Sequence, residues 1–169
     1  EYLEIDKSIP ISQSKNTSAV PPYEKNGSEI PVGGKIFVTT KILKLYNGDK
    51  TLIKKDLEAS LERLNIGYVD LILIHWPNYD YQINLSAYQV LEEMYSDKKY
   101  RAIGVSNFQI HHLDHLIKNA KVKPMVNQVE LHPLLSQVGM QKYLKENNIA
   151  LTSYGPFAKA RIFESPVKE

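Results

Sequence analysis

Two ionisable side chains stand at the ends of apolar runs in this 169-residue chain. His75 closes the run Tyr68-Val69-Asp70-Leu71-Ile72-Leu73-Ile74 and is followed by Trp76 and by Pro77, which cannot continue a hydrogen-bonded ladder. Lys41 closes Lys35-Ile36-Phe37-Val38-Thr39-Thr40 in the same way. Short continuous apolar runs of this kind read as buried parallel strands. The C-terminal ends of such strands form the mouth of an α/β sheet, where binding and catalysis are housed. A lysine and a histidine delivered to one mouth are groups that hold or move protons, and packing alone does not call for them.

The elements that position them alternate regularly after Gly34. The patterning predicts strand Ile36–Thr40, helix Lys50–Leu64 with Gly67 as its C-cap, strand Val69–Ile74 and helix Ser86–Asp97. Strand Ala102–Val105, helix Ile110–Lys118, strand Met125–Val129, helix Gln137–Asn147 and strand Ala150–Tyr154 follow, then a loop from Gly155 to Glu169. A further helix could start at Ser165-Pro166. Strict alternation demands a parallel sheet with crossover helices. The strand ends fall near Lys41, His75, Ser106, Glu130 and Tyr154, roughly 24 to 34 residues apart, a spacing that suits a (β/α)8 barrel. Five units are too few to close one. An open doubly wound sheet is the alternative, but its Gly-rich phosphate loop after the first strand is not found. The expected fold is therefore an incomplete (β/α)8 barrel over 35–169. Residues 1–34 are expected to form an N-terminal helix remnant, Glu1–Ile5, and a long irregular loop, Ser8–Gly34.

Composition narrows the classes. The net charge of +2 is spread along the chain and gives no reason to propose nucleic acid. The chain has no cysteine, which excludes disulfides, a thiolate nucleophile and a Cys-based metal site. No apolar run approaches a membrane span and no signal-peptide pattern opens the chain, so a cytoplasmic protein is expected. Asn16-Thr17-Ser18, Asn26-Gly27-Ser28 and Asn84-Leu85-Ser86 match glycosylation sequons, which we read as chance matches. His111, Asp114 and His115 have metal-like helical spacing, but they lie on the helix that follows Ser106-Asn107-Phe108, and no metal is expected.

Five motifs in order carry a resemblance. They are Val38-Thr39-Thr40-Lys41; Tyr68-Val69-Asp70-Leu71 with Leu73-Ile74-His75-Trp76-Pro77; Ile103-Gly104-Val105-Ser106-Asn107-Phe108; Val126-Asn127-Gln128-Val129-Glu130-Leu131-His132-Pro133; and Ser153-Tyr154-Gly155-Pro156. From Lys35 to Glu169 the chain resembles the aldo-keto reductases. The resemblance implies a TIM barrel, a nicotinamide cofactor that is mostly NADPH, with NAD left open, and reduction of a small aldehyde or ketone by a monomeric enzyme. It implies that Lys41 lowers the pKa of a proton-donating tyrosine, and that His75 orients the substrate carbonyl. Trp76 would wall the substrate pocket. Ser106, Asn107 and Gln128 would hydrogen-bond the nicotinamide carboxamide, a task suited to groups that both donate and accept. Tyr154 would stack on the nicotinamide ring, with Gly155 and Pro156 continuing the cofactor contact. Gly155-Pro156-Phe157 stands where the family commonly has Ser-Pro-Leu, so the serine contact to the pyrophosphate is replaced at most by a backbone N–H. His132 belongs to a family loop motif and is read as structural.

The resemblance also implies features that these residues lack. The family's second strand carries Asp-x-Ala-x-x-Tyr with the catalytic aspartate and tyrosine, and no Asp here is followed five residues later by Tyr in that context. Glu1–Ile5 is either the remnant of the helix after that strand, or Lys25–Pro31 is the N-terminal hairpin fused to the third strand. Neither reading recovers the pair. The Gly-rich first strand and the adenosine-binding loop of the eighth strand have no counterpart either. The expectation is an aldo-keto reductase chain that is inactive on its own. The alternatives are a non-catalytic nicotinamide-binding or regulatory protein on the same fold, and a fragment without a function of its own.

Overall fold

A computed structural model describes residues 36–66 and 68–164. The expected elements at Glu1–Ile5, Ser8–Gly34 and Ser165-Pro166 lie outside these residues. The described order is β1 (Thr39–Ile42), α1 (Lys50–Leu64), β2 (Val69–Ile74), α2 (Tyr81–Ser96), β3 (Tyr100–Ser106), α3 (Ile110–Asn119), β4 (Val126–Glu130), α4 (Val138–Glu146), β5 (Ala150–Tyr154) and the short α5 (Arg161–Glu164). The five strands are all parallel and pair in the order β1-β2-β3-β4-β5. Each new strand is thus added on the same side of the last. A doubly wound sheet reverses its order at a switch point, and this one never does. The sheet is an arc of a (β/α)8 barrel.

Side-chain alternation assigns the two faces. Ile42, Ile72, Ile74, Ile103 and Val105 point to the helix side, in one core with Ile53 and Leu57 of α1, Tyr88 and Leu91 of α2, Leu113 and Leu116 of α3, and Met140 and Leu144 of α4. The opposite face carries a smaller cluster of Leu71, Leu73 and Val126, with Phe37, Ala102 and Met125 packed on it. At its centre lies Gly104. A Cβ placed there would fall 2.5 Å from the Val126 carbonyl oxygen and 2.9 Å from Leu73 Cδ2. The space above Gly104 belongs to the leucine of the neighbouring strand.

Several boundaries move for local reasons. β1 starts at Thr39, not Ile36. Upstream of it, the Val38 amide donates to Asp70 Oδ2 (2.9 Å) while Arg101 Nη1 holds Asp70 Oδ1 (3.0 Å). One buried carboxylate thus ties the beginnings of three strands together, at the end of the sheet opposite His75. α1 closes at Asn65, not Gly67: Asn65 takes the left-handed conformation (φ 50°), and its amide reaches the Leu61 and Glu62 carbonyls. α2 begins at Tyr81, five residues before Ser86, because the Asp80 side chain accepts the Gln82 amide (2.8 Å). Asn84 is therefore helical and buried, and its carboxamide is used on both sides by Asn78. At 2 % exposure this side chain is not accessible for a glycan in the fold. The segment expected to be loop after Tyr154 contains a turn at Ala158–Ala160 and then α5.

Two tyrosines in the core make a test of packing. The hydroxyls of Tyr88 and Tyr100 are buried with no partner among the described residues, and burial holds both pKa values above the usual tyrosine range. An unpaired buried hydroxyl stabilises nothing. Tyr88→Phe is expected to leave the melting temperature unchanged or raise it, by no more than about 1 kcal/mol of stability; a clear drop in a thermal melt would reveal a hydrogen bond that this packing does not contain.

Candidate functional site

The strand register collects the polar strand ends on the concave face. Lys41 is paired with Leu73 and shares its face. His75 lies two residues beyond Leu73, and its amide extends the ladder to the Ile42 carbonyl (2.9 Å). Ser106 is paired with Gln128, Gln128 with Thr152, and Glu130 with Tyr154. Lys41, His75, Ser106, Gln128, Glu130 and Tyr154 therefore line one face at one end of the arc. The neighbouring layer is apolar, formed by Leu71, Leu73 and Val126.

Asn107 joins these ends. It adopts the left-handed conformation (φ 63°), which Asn tolerates better than most residues. Its amide donates to the Gln128 carbonyl (2.8 Å). Its side-chain Nδ2 donates to the His75 carbonyl (2.9 Å) and to Ser106 Oγ (3.1 Å), while Oδ1 accepts the Tyr154 hydroxyl (2.8 Å). One carboxamide thus spans the ends of β2, β3 and β5. Behind it, the buried Asn127 donates to the Phe108 carbonyl (3.0 Å) and fixes the turn from the helix side. α3 is capped without an acidic residue, by the Gln109 amide donating to His112 Nδ1 (3.1 Å).

Ser106 and Gln128 are almost fully buried, whereas Trp76 is 52 % exposed beside His75, with ring centroids 6.3 Å apart. Gly155 has φ 62°, a conformation that favours glycine, and turns the chain away from Tyr154 toward Pro156. Burial, and then the positive charge of Lys41, lower the His75 pKa below 6.5. Burial, and then the Glu130 carboxylate, raise that of Tyr154. His75 is accordingly a neutral imidazole at pH 7. In an NMR titration its midpoint is expected below 6.5, and Lys41→Met is expected to recover only part of the shift, because burial is the larger cause. Since the unfolded imidazole binds its proton more readily, this group lowers folding stability as pH falls below 6.5. A midpoint at or above 6.5 would contradict the placement.

The residues with metal-like spacing are otherwise engaged. Asp114 accepts the Tyr143 hydroxyl (2.6 Å), and His111, His112 and His115 surround the Tyr81 ring at centroid distances of 6.1, 5.8 and 5.0 Å. Among the described residues no group of three His, Asp or Glu side chains is placed to hold a metal ion. No described helix is long and apolar enough to cross a membrane. Sequence reasoning passed over two residues on this face, Thr152 and Glu130, the register partners of Gln128 and Tyr154. The signal for Glu130 was its spacing of two from Gln128, which puts both on one face.

A sequence model of the Aldo/keto reductase family matches residues 32–168. The chain belongs to the aldo/keto reductase family. Glyoxal reductase of Bacillus subtilis (strain 168) is 44% identical over 132 residues, which is 78% of this chain and 47% of the relative. Among solved structures, the aldo-keto reductase MGS-M4 from a Medee basin deep-sea metagenome library superposes with a TM-score of 0.75 at 42% identity, over 84% of this chain and 51% of that one. A point mutant of Gox0644, solved in complex with NADPH, gives a TM-score of 0.73 at 31% identity, over 78% and 48%. The chain spans about half the length of the curated relatives it matches. It is an aldo/keto reductase chain whose described sheet forms five consecutive strands of the family barrel.

Proposed function

We propose that the concave strand ends form the nicotinamide-facing and carbonyl-orienting part of an NADPH-dependent reductase of small aldehydes and ketones. The observation that carries this reading is the register, which brings His75, Ser106, Gln128 and Tyr154 to one face at one end of the sheet. The donor set fits a nicotinamide. Its carboxamide needs partners that donate and accept, and Ser106 and Gln128 are both. Its ring needs a flat apolar face, and Tyr154 supplies an aromatic ring at the mouth. Asn107 is committed to His75, Ser106 and Tyr154, so its role in this reading is to hold ring and carboxamide partners in register.

When bound, the cofactor supplies hydride to the carbonyl carbon. The chain's own residues handle the oxygen. The neutral His75 offers an N–H to the carbonyl oxygen and fixes its direction. Lys41 sets a positive charge near the charge that develops on that oxygen. Trp76 covers one side of the substrate, and the name of the B. subtilis relative makes glyoxal and related small dicarbonyls the first compounds to try. Proton donation falls to a tyrosine in an Asp-x-Ala-x-x-Tyr pattern that these 169 residues do not contain. Residues 1–169 alone are accordingly expected to bind and orient without turnover. The test is NADPH oxidation with methylglyoxal, run on the full-length gene product and on residues 1–169. Oxidation by the former is the expected result. NADPH binding without oxidation by the full-length product would favour the non-catalytic cofactor-binding alternative instead.

A further inference from the structure

Glu130 has no part in the roles assigned so far, yet it occupies a place in the mouth. It is the register partner of Tyr154 and lies two residues beyond Gln128 on the same face. Register partners on one face of a sheet bring their side chains into contact range. The carboxylate reaches past the tyrosine. A Cβ placed on Gly155 would stand 3.7 Å from Glu130 Oε1 and 3.8 Å from its Cγ. The same Oε1 lies 3.3 Å from Nε2 of the buried His132. The backbone is pinned too, by Gln137 Nε2 on the Glu130 carbonyl (2.6 Å) and by Ser153 Oγ on the Leu131 carbonyl (2.7 Å). The side chain remains about one-third exposed at the mouth. The carboxylate lies next to Gly155 and His132 at the Tyr154 end of the mouth, and no lysine or arginine among the described residues pairs with it.

We infer that Glu130 is the charged partner of the nicotinamide ring, favouring the oxidised cofactor over the reduced one. The inference rests on the proposed reading that Tyr154 carries that ring. The reduced ring is neutral, and the oxidised ring bears a positive charge. When hydride leaves for the carbonyl carbon, the ring loses a hydrogen with its electron pair and becomes cationic, while the carbonyl oxygen takes up a proton to give the alcohol. A fixed negative charge near the ring stabilises the charge that appears there and has no comparable effect on the starting state. Glu130 is near enough to Tyr154 to add, after burial, to the raising of its pKa. Lys41 sits on β1, at the opposite edge of the described sheet, so the mouth carries positive charge on the carbonyl side and negative charge on the Tyr154 side.

The readout is the ratio of dissociation constants, Kd(NADP+)/Kd(NADPH), measured on the full-length gene product by NADPH fluorescence and by NADP+ competition. The adenosine half contributes equally to both and cancels. Glu130→Gln is expected to raise the ratio about five- to tenfold at low salt. Glu130→Asp, which draws the same charge back by one methylene, is expected to fall between wild type and Gln. If Glu130→Gln does not fold, the Asp variant decides alone. A ratio equal to that of wild type in the folded variants would overturn the inference. A general loss of packing would weaken both forms together and leave the ratio unmoved. Wild-type protein that binds neither form would instead refute the proposed function.

Discussion

Replacing Lys41 with methionine is expected to lower kcat/KM for carbonyl reduction by the full-length gene product about 10²- to 10⁴-fold, the usual worth of assisted proton transfer. Methionine keeps the length of the side chain and its packing on the concave face, so the loss isolates the charge. Lys41 stands in register with Leu73, just below His75, and its ammonium is one of the two causes that hold His75 neutral. NADPH affinity is expected to hold, because Ser106, Gln128 and Tyr154 are on other strands. The pH profile adds a second readout. Without the ammonium the His75 pKa rises part of the way back toward 6.5, so the imidazole protonates at a higher pH in the variant. Unchanged activity across neutral pH would remove Lys41 from the site.

Gly104→Ala is expected to be the most damaging single methyl group in the sheet, costing about 3 kcal/mol of stability. The added carbon would lie 2.5 Å from a backbone oxygen, which cannot move without displacing β4, and 2.9 Å from Leu73 Cδ2. Gly139 is the contrast, because a Cβ there meets nothing within 4 Å. Gly139→Ala should therefore leave the melting temperature unchanged or raise it slightly. The alanine at 104 should lower it by about 6–12 °C for a domain of this size. Because Gly104 lies two residues before Ser106, a variant that still folds should also bind cofactor less well. Equal melting of the two variants would contradict the packing described for Leu73.

The sequence carried much of this architecture because the central strands, β2 above all, are buried on both faces and the helices on one. Val69–Ile74 reads as a strand from its composition alone, and Lys50–Leu64 reads as a helix from its apolar spacing. What composition could not place depended on one side chain meeting distant backbone. The Asp70 carboxylate takes the Val38 amide that would otherwise extend β1, a contact across 32 residues. The start of α2 was legible in principle, since Asp80 is a good N-cap, but Tyr81, Gln82 and Asn84 lack a helical apolar stripe. The candidate site divides in the same way. His75 and Lys41 stand out because ionisable groups end apolar runs. Asn107 reads locally as a loop residue or a ligand, and its bridging of three strand ends exists only once β2, β3 and β5 are side by side. Glu130 reads as the polar end of a strand, and its importance comes from the register with Tyr154.

The most direct test of the account is backbone amide NMR of the full-length gene product during an NADPH titration. The concave-mouth assignment predicts that shifts concentrate at His75, Ser106, Asn107, Gln128, Glu130 and Tyr154, at the C-terminal ends of the strands. Amides at the opposite end, Val69 and Asp70 among them, should stay in place. A separate cleft of about 700 Å³ lies on the helix side, lined by Lys50, Glu92, Glu93, Asp97 and Lys121. Shifts centred on that cleft, or spread over the strand beginnings while the mouth is silent, would contradict the account.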